Sequence, residues 1–303
     1  MFRGALVAIV TPFKNGAVDE DSFRRLVEYQ IVNGSSGIVP CGTTGESATL
    51  TFEEHKRLIE MTVEQVNKRV PVVAGTGSNN TEEAIRLTKH AKRAGADGAL
   101  IISPYYNKPT QSGLYKHYEK IAVSVDLPLV IYNVPGRTAV NIEPETICKL
   151  SNIDTVVAVK EASGSMKQIT DIIARCGENL DILSGEDFLT FPILCVGGKG
   201  VISVVSNIVP RDMANLCEFF FQGRFEDAQK LYYKLLPVCH AVFFETNPVP
   251  VKTALAMMNQ IEDDEVRLPL APLLEPIRLQ LVEALKAYGI RLGVSMLDQG
   301  RSF

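Results

Sequence analysis

The sequence lacks the patterns that announce metal, nucleic-acid or membrane chemistry. Its six cysteines, at 41, 148, 176, 195, 217 and 239, form no C-x-x-C pair, and none lies near a histidine at zinc-ligand spacing. Zinc ribbons and dithiol redox motifs are thereby excluded. In a chain of 303 residues these cysteines read as reduced, buried, small apolar residues, which implies a cytosolic protein. The four histidines, His55, His90, His117 and His240, are scattered. They read as surface or interface side chains with satisfied partners rather than metal ligands. There is no charge excess: 31 Lys and Arg against 35 Asp and Glu give a net charge of -4, without a basic patch or an acidic run. Nucleic acid and anionic membranes are not expected partners. No run of 18 apolar residues suggests a transmembrane helix. The start, Met1-Phe2-Arg3-Gly4, does not lead into the apolar core of a secretory signal. Neither a Walker loop nor a dinucleotide fingerprint is present.

What the chain does have is an ordinary globular composition, 46% hydrophobic and 22% charged, enough for a large core. Short apolar runs at 5–10, 37–40, 72–75, 98–102, 129–133, 156–160, 181–184 and 201–204 alternate with amphipathic stretches, the clearest at 21–32, 52–67 and 82–93. Thr51 with Glu54, and Thr81 beside Asn80, supply N-cap signals. Eight strand–helix units over about 220 residues predict an α/β fold, a (β/α)8 barrel, over residues 1–224. Residues 225–303 predict a C-terminal helical domain of roughly three helices, broken near Pro237, at Asn247-Pro248 and at Pro269–Pro272. The tail 291–303 shows no pattern and reads as a flexible end.

In such a barrel the reactive groups stand where strands end. The run at 156–160 ends in Lys160, followed by Glu161. A lysine held at the end of a buried strand is shielded from water, and the free amine is the form that attacks a ketone. The alternative is a structural lysine paired with a carboxylate such as Glu161. Gly42-Thr43-Thr44-Gly45-Glu46 follows the second strand; its hydroxyls and amides suit a carboxylate, although a plain capped turn has the same composition. Tyr132 ends the fifth strand, where a phenol can relay a proton or simply pack in the core. Arg137 follows the turn signal Val134-Pro135-Gly136 and can fork onto a carboxylate or form a surface salt bridge. Gly197-Gly198-Lys199-Gly200 precedes the last strand and reads as a connecting loop. Amine and hydroxyl groups converge on one rim without a metal-binding cluster.

The motifs Gly42-Thr43-Thr44-Gly45-Glu46-Ser47, Ser103-Pro104-Tyr105-Tyr106-Asn107-Lys108-Pro109-Thr110, Tyr132-Asn133-Val134-Pro135-Gly136-Arg137-Thr138 and Val159-Lys160-Glu161-Ala162 resemble those of the dihydrodipicolinate synthase family. The resemblance runs from Gly4 to about Gly289. It implies a pyruvate-dependent lyase in the diaminopimelate route to lysine, needing no cofactor. Lys160 would form an imine with pyruvate. Thr43, Tyr132 and Tyr106, the last from a neighbouring subunit, would relay protons. Thr44 would hold the pyruvate carboxylate, with backbone groups of Gly185 and Ile202 completing the pocket. Arg137 would bind L-aspartate 4-semialdehyde. A homotetramer of two tight dimers is implied, with an L-lysine site away from the barrel mouth at Ser47, Ala48, His55, Asn79, Glu83 and Tyr105. Phe52 departs from members that carry histidine there. The sibling N-acetylneuraminate lyase or keto-deoxy sugar-acid aldolases would keep Lys160, Tyr132, Thr43 and Thr44 but generally lack an arginine at 137. A non-catalytic barrel would usually have lost the lysine or the tyrosine.

Overall fold

The computed structural model describes residues 1–293. Residues 294–303, most of the tail read above as a flexible end, lie outside the described residues.

Eight parallel strands form the ring: β1 Gly4–Ala8, β2 Gly37–Val39, β3 Val73–Gly75, β4 Gly98–Ile102, β5 Leu129–Asn133, β6 Val156–Glu161, β7 Asp181–Ser184 and β8 Gly200–Ser203. Their spatial order is β2-β1-β8-β7-β6-β5-β4-β3, and a bridge between Ile38 and Val72 joins the two ends of that order. The architecture is the (β/α)8 barrel that the alternation predicts. The glycine run before β8 does lie at the start of that strand, where Lys199 O accepts from Gly4 N at 2.9 Å.

Strand alternation sorts the apolar residues into two layers. One fills the barrel: Leu6, Val39, Val73, Leu100, Val130, Ala158, Leu183 and Ile202, with Phe2 closing the end where the strands begin. The other lies between strands and helices and includes Leu129, Ile131, Val156 and Val159. The same period carries Tyr132 inward with Val130, and Lys160 inward with Ala158.

The helices start where the caps predict. Thr51 and Glu54 form a reciprocal capping box on Phe52–Val66. For Thr81–Ala94 the cap is Asn80, whose side chain accepts from Glu82 N and Glu83 N, and Thr81 is the first helical residue.

The C-terminal extension contains the helices Phe225–Ala241, Val249–Met257 and Glu275–Tyr288. Pro237 does not break the first of them. The ring removes one backbone donor, and Tyr233, the residue four positions back, is exposed. Leu235, Val238 and Cys239 of this helix join the outer apolar layer of the barrel.

Three local readings are corrected. Cys195 is exposed and Cys148 half-buried, so only four of the six free thiols are core residues. His55 and His117 are buried, and each keeps a ring nitrogen without a partner, Nδ1 and Nε2 respectively. Burial pushes both imidazoles down to about 4. The third concerns a hairpin that the sequence reading missed, Phe13–Lys14 against Ala17–Val18. It turns through Asn15-Gly16, both at positive φ (53° and 80°). None of the helices among the described residues is long and apolar enough to cross a membrane.

Candidate active site

Tyr132 and Lys160 are direct neighbours in the register of β5 and β6, and both point into the barrel. The Lys160 Nζ lies 4.2 Å from the centre of the Tyr132 ring. Lys160 is only 5% exposed. The structural pairing with Glu161 is not formed, because successive residues of a strand face opposite ways. Glu161 points outward and accepts from Ser163 N at 2.8 Å, Asn133 Nδ2 at 3.0 Å and Gln168 Nε2 at 3.3 Å. Burial raises its carboxyl against those bonds. The ion-paired lysines among the described residues are Lys14, Lys56, Lys92, Lys149, Lys234 and Lys252, and Lys160 is not one of them. A shielded amine without a salt bridge, beside a phenol, is an arrangement suited to nucleophilic attack.

Two walls close around this pair. Gly185 N donates to Glu161 O at 2.7 Å, and a Cβ on Gly185 would stand 2.5 Å from that of Ala162. Only glycine lets the end of β7 approach β6 so closely. Ile202, fully buried, belongs to the barrel interior. Asp187, on the loop after β7, accepts from the Ser203 hydroxyl, from Val204 N at 3.0 Å and from Val205 N at 3.1 Å. Burial pushes its carboxyl up, and these hydrogen bonds and the charge of Lys160 oppose the shift. Nothing in the sequence marked Asp187 as the tie between β7 and β8.

The Thr43–Thr44 loop is gripped from three sides. Glu46 N donates back to Thr43 O at 3.1 Å, with Glu46 in the left-handed region (φ 53°). Thr11 Oγ1 donates to Gly45 O at 2.8 Å. The C-terminal extension supplies the other grips. Asn247 Nδ2 donates to Thr44 Oγ1 at 3.0 Å. Lys252 Nζ meets Glu46 Oε1 at 2.7 Å, with both side chains wholly buried, while Arg267 N donates to Glu46 Oε2 at 3.2 Å. Burial lowers Lys252, and the Glu46 carboxylate opposes that shift. The Phe13 ring lies beneath both cations, 4.3 Å from Lys252 Nζ and 4.2 Å from the Arg267 guanidinium. Neither Asn247 nor Lys252 was singled out from the sequence. Lys252 did leave a signal, a lone charge inside the apolar helix Val249–Met257.

A cavity of about 450 Å³ opens beside this loop, lined by Thr43, Arg137 and Asn247 among others. Arg137 sits on the turn Pro135–Thr138, exposed, and no carboxylate among the described residues pairs with it. The surface salt bridge is therefore absent. Ser47, Ala48, His55, Glu83 and Tyr105 line the same cavity. The short loop from Thr43 to Ala48 brings both groups onto one hollow of this chain. Asn79 stands behind them and donates to Tyr105 O at 3.2 Å. Tyr106, at φ 73° and 88% exposed, is turned to solvent in its own chain and is not brought to Lys160.

The chain is similar to known proteins over nearly its whole length. The 4-hydroxy-tetrahydrodipicolinate synthase of Syntrophobacter fumaroxidans is 74% identical over 290 residues, covering 96% of this chain and all of that one. The chloride-inhibited dihydrodipicolinate synthase of Acinetobacter baumannii, solved with pyruvate, superposes with a TM-score of 0.94 at 44% identity, over 96% of this chain and 100% of that one. The enzyme of Cyanidioschyzon merolae, solved with lysine bound, gives a TM-score of 0.93 at 39% identity, over 96% and 99%. Residues 1–288 match the Dihydrodipicolinate synthetase family, and the chain belongs to that family.

Proposed function

We propose that this chain is a lyase that condenses pyruvate with L-aspartate 4-semialdehyde to give 4-hydroxy-tetrahydrodipicolinate. The observation that carries the reading is the shielded Lys160 amine, free of any salt bridge, lying over Tyr132 at the barrel mouth. The Lys160 amine adds to the ketone carbon of pyruvate and water leaves, forming an imine. The imine withdraws electrons, so the methyl group loses a proton and an enamine forms. The enamine carbon attacks the aldehyde carbon, and the new alkoxide takes a proton. The α-amine of the adduct then attacks the imine carbon, closes the ring and expels Lys160.

Thr44 and the neighbouring amides hold the pyruvate carboxylate, assisted by backbone groups of Gly185 and Ile202. Tyr132 and Thr43 relay protons with Tyr106 of a second copy; the exposure of Tyr106 supports that role. The working unit is then at least a dimer, within a homotetramer. Six free thiols suit a cytoplasmic setting.

A coupled assay with pyruvate and aspartate semialdehyde, run beside N-acetylneuraminate, tests the reading. Turnover is expected with the first pair alone; cleavage of N-acetylneuraminate instead overturns it. In the same assay Arg137→Ala is expected to raise half-saturating aspartate semialdehyde about 10- to 100-fold. The effect is held to that range because the guanidinium is exposed. Pyruvate trapping by borohydride should be nearly unchanged. If trapping falls as far as turnover, Arg137 is structural.

The cavity wall formed by Ser47, Ala48, His55, Glu83 and Tyr105 supports a second reading, L-lysine as an effector. Glu83 offers a carboxylate to the ligand's α-amine. Asn79 and Tyr105 flank its carboxylate. Phe52 offers no hydrogen bond, and the Arg86 guanidinium lies 5.7 Å from the centre of its ring. One missing neutral hydrogen bond weakens binding about 2- to 13-fold. Calorimetric titration should therefore show heat, and the assay inhibition, at about millimolar lysine. Silence in both leaves these residues purely structural.

A further inference from the structure

The contact between Thr44 and Asn247 joins the substrate loop to the C-terminal extension in a place closed to bulk water. The two residues are 2% and 5% exposed. Asn247 Nδ2 donates to Thr44 Oγ1 at 3.0 Å. A hydroxyl carries one proton and two acceptor positions. Once an amide N–H occupies an acceptor position, the Thr44 proton is left to point elsewhere. Asn247 Oδ1 has no hydrogen-bond partner among the described residues, and Asn247 borders the cavity. A buried amide oxygen without a partner is unfavourable, which leaves the bond to Thr44 as the contact that fixes this side chain. The backbone that carries Asn247 turns tightly here, with Thr246 O accepting from Val249 N at 3.0 Å. Three residues further on, Lys252 is locked to Glu46.

We propose that Asn247 is a positioning residue: its amide presents the Thr44 hydroxyl as a hydrogen-bond donor to the carboxylate of the keto-acid substrate. The proposal rests on the reading that Thr44 holds that carboxylate. It makes the C-terminal extension part of the active site, although no residue of the extension reacts. It also predicts an asymmetry that a packing role would not show. An aspartate at 247 has nearly the size of asparagine but only accepts. It captures the Thr44 proton and sets a negative charge beside the substrate carboxylate.

The test compares the full-length enzyme with Asn247→Ala, Asn247→Asp, Thr44→Val and the Thr44→Val/Asn247→Ala double variant. Borohydride trapping at graded pyruvate reads the first substrate alone, and steady-state rates read both. Asn247→Ala is expected to raise half-saturating pyruvate about 10-fold, and Asn247→Asp about 100-fold or more. Half-saturating aspartate semialdehyde should change less than about 2-fold. The double variant should be no worse than Thr44→Val, since both changes remove one interaction. The proposal fails if Asn247→Asp matches the parent. It also fails if the two single losses add, or if both substrates weaken together as thermal stability falls. A parent enzyme that traps no pyruvate at Lys160 refutes the proposed function and this inference with it. A parent that traps normally beside an unaffected Asn247→Asp refutes the inference alone.

Discussion

Lys160→Ala is expected to lower turnover by ~10⁴-fold or more, since the variant loses the covalent intermediate rather than one contact. Steady-state rates check this. Borohydride added with pyruvate should leave a reduced pyruvyl group on Lys160 of the parent and none on the variant. The geometry explains why this lysine should be selected. Its amine is shielded and stands over Tyr132. Lys14, by contrast, is half-exposed and paired with Glu262, and Lys108 and Lys199 are exposed. A label found on Lys14, Lys108 or Lys199, or an active Lys160→Ala variant, removes the Schiff-base mechanism.

Lys252→Met is expected to destabilise the fold by about 3–5 kcal/mol, because it leaves the buried Glu46 carboxylate without its ammonium partner. Both side chains are 0% exposed, so water cannot replace the lost ammonium. Arg267 N still reaches Glu46 Oε2, at 3.2 Å, but a neutral amide does not balance a buried charge. Denaturant unfolding measures the loss. Adding Glu46→Gln to the variant removes the stranded charge and should recover most of the stability. If Lys252→Met alone is within about 1 kcal/mol of the parent, the pair is not buried as a pair of charges. If the double variant stays as unstable as the single one, the loss comes from packing around residue 252.

The sequence by itself determined the strand count, the barrel and the chemical identity of the mouth. Each of the eight strands is a short apolar run between helical patterns, and that signal is local. Lys160 and Tyr132 were legible for the same reason: each ends such a run, and strand ends face the reaction in this architecture. Thr51 and Asn80 were legible because caps act over three or four residues. The hairpin at Phe13–Val18, with strands of only two residues each, was too short to register.

Only the tertiary structure decided what crosses long stretches of chain. The Glu46–Lys252 pair spans 206 residues and the Thr44–Asn247 bond 203. No local pattern links such partners, and a lone lysine in an apolar helix does not name its carboxylate. Strand alternation turns Glu161 away from Lys160, and the ring decided which of the two faces is the interior. Along the sequence the two are adjacent and look like a pair. In a strand they are on opposite faces, one in the barrel and one against Asn133 and Gln168. The placement of Ser47, Ala48 and His55 on one cavity with Thr43 and Arg137 is likewise a matter of how the second and fifth loops meet. Local residue types set which groups were available; backbone alternation and ring closure set which of them face each other.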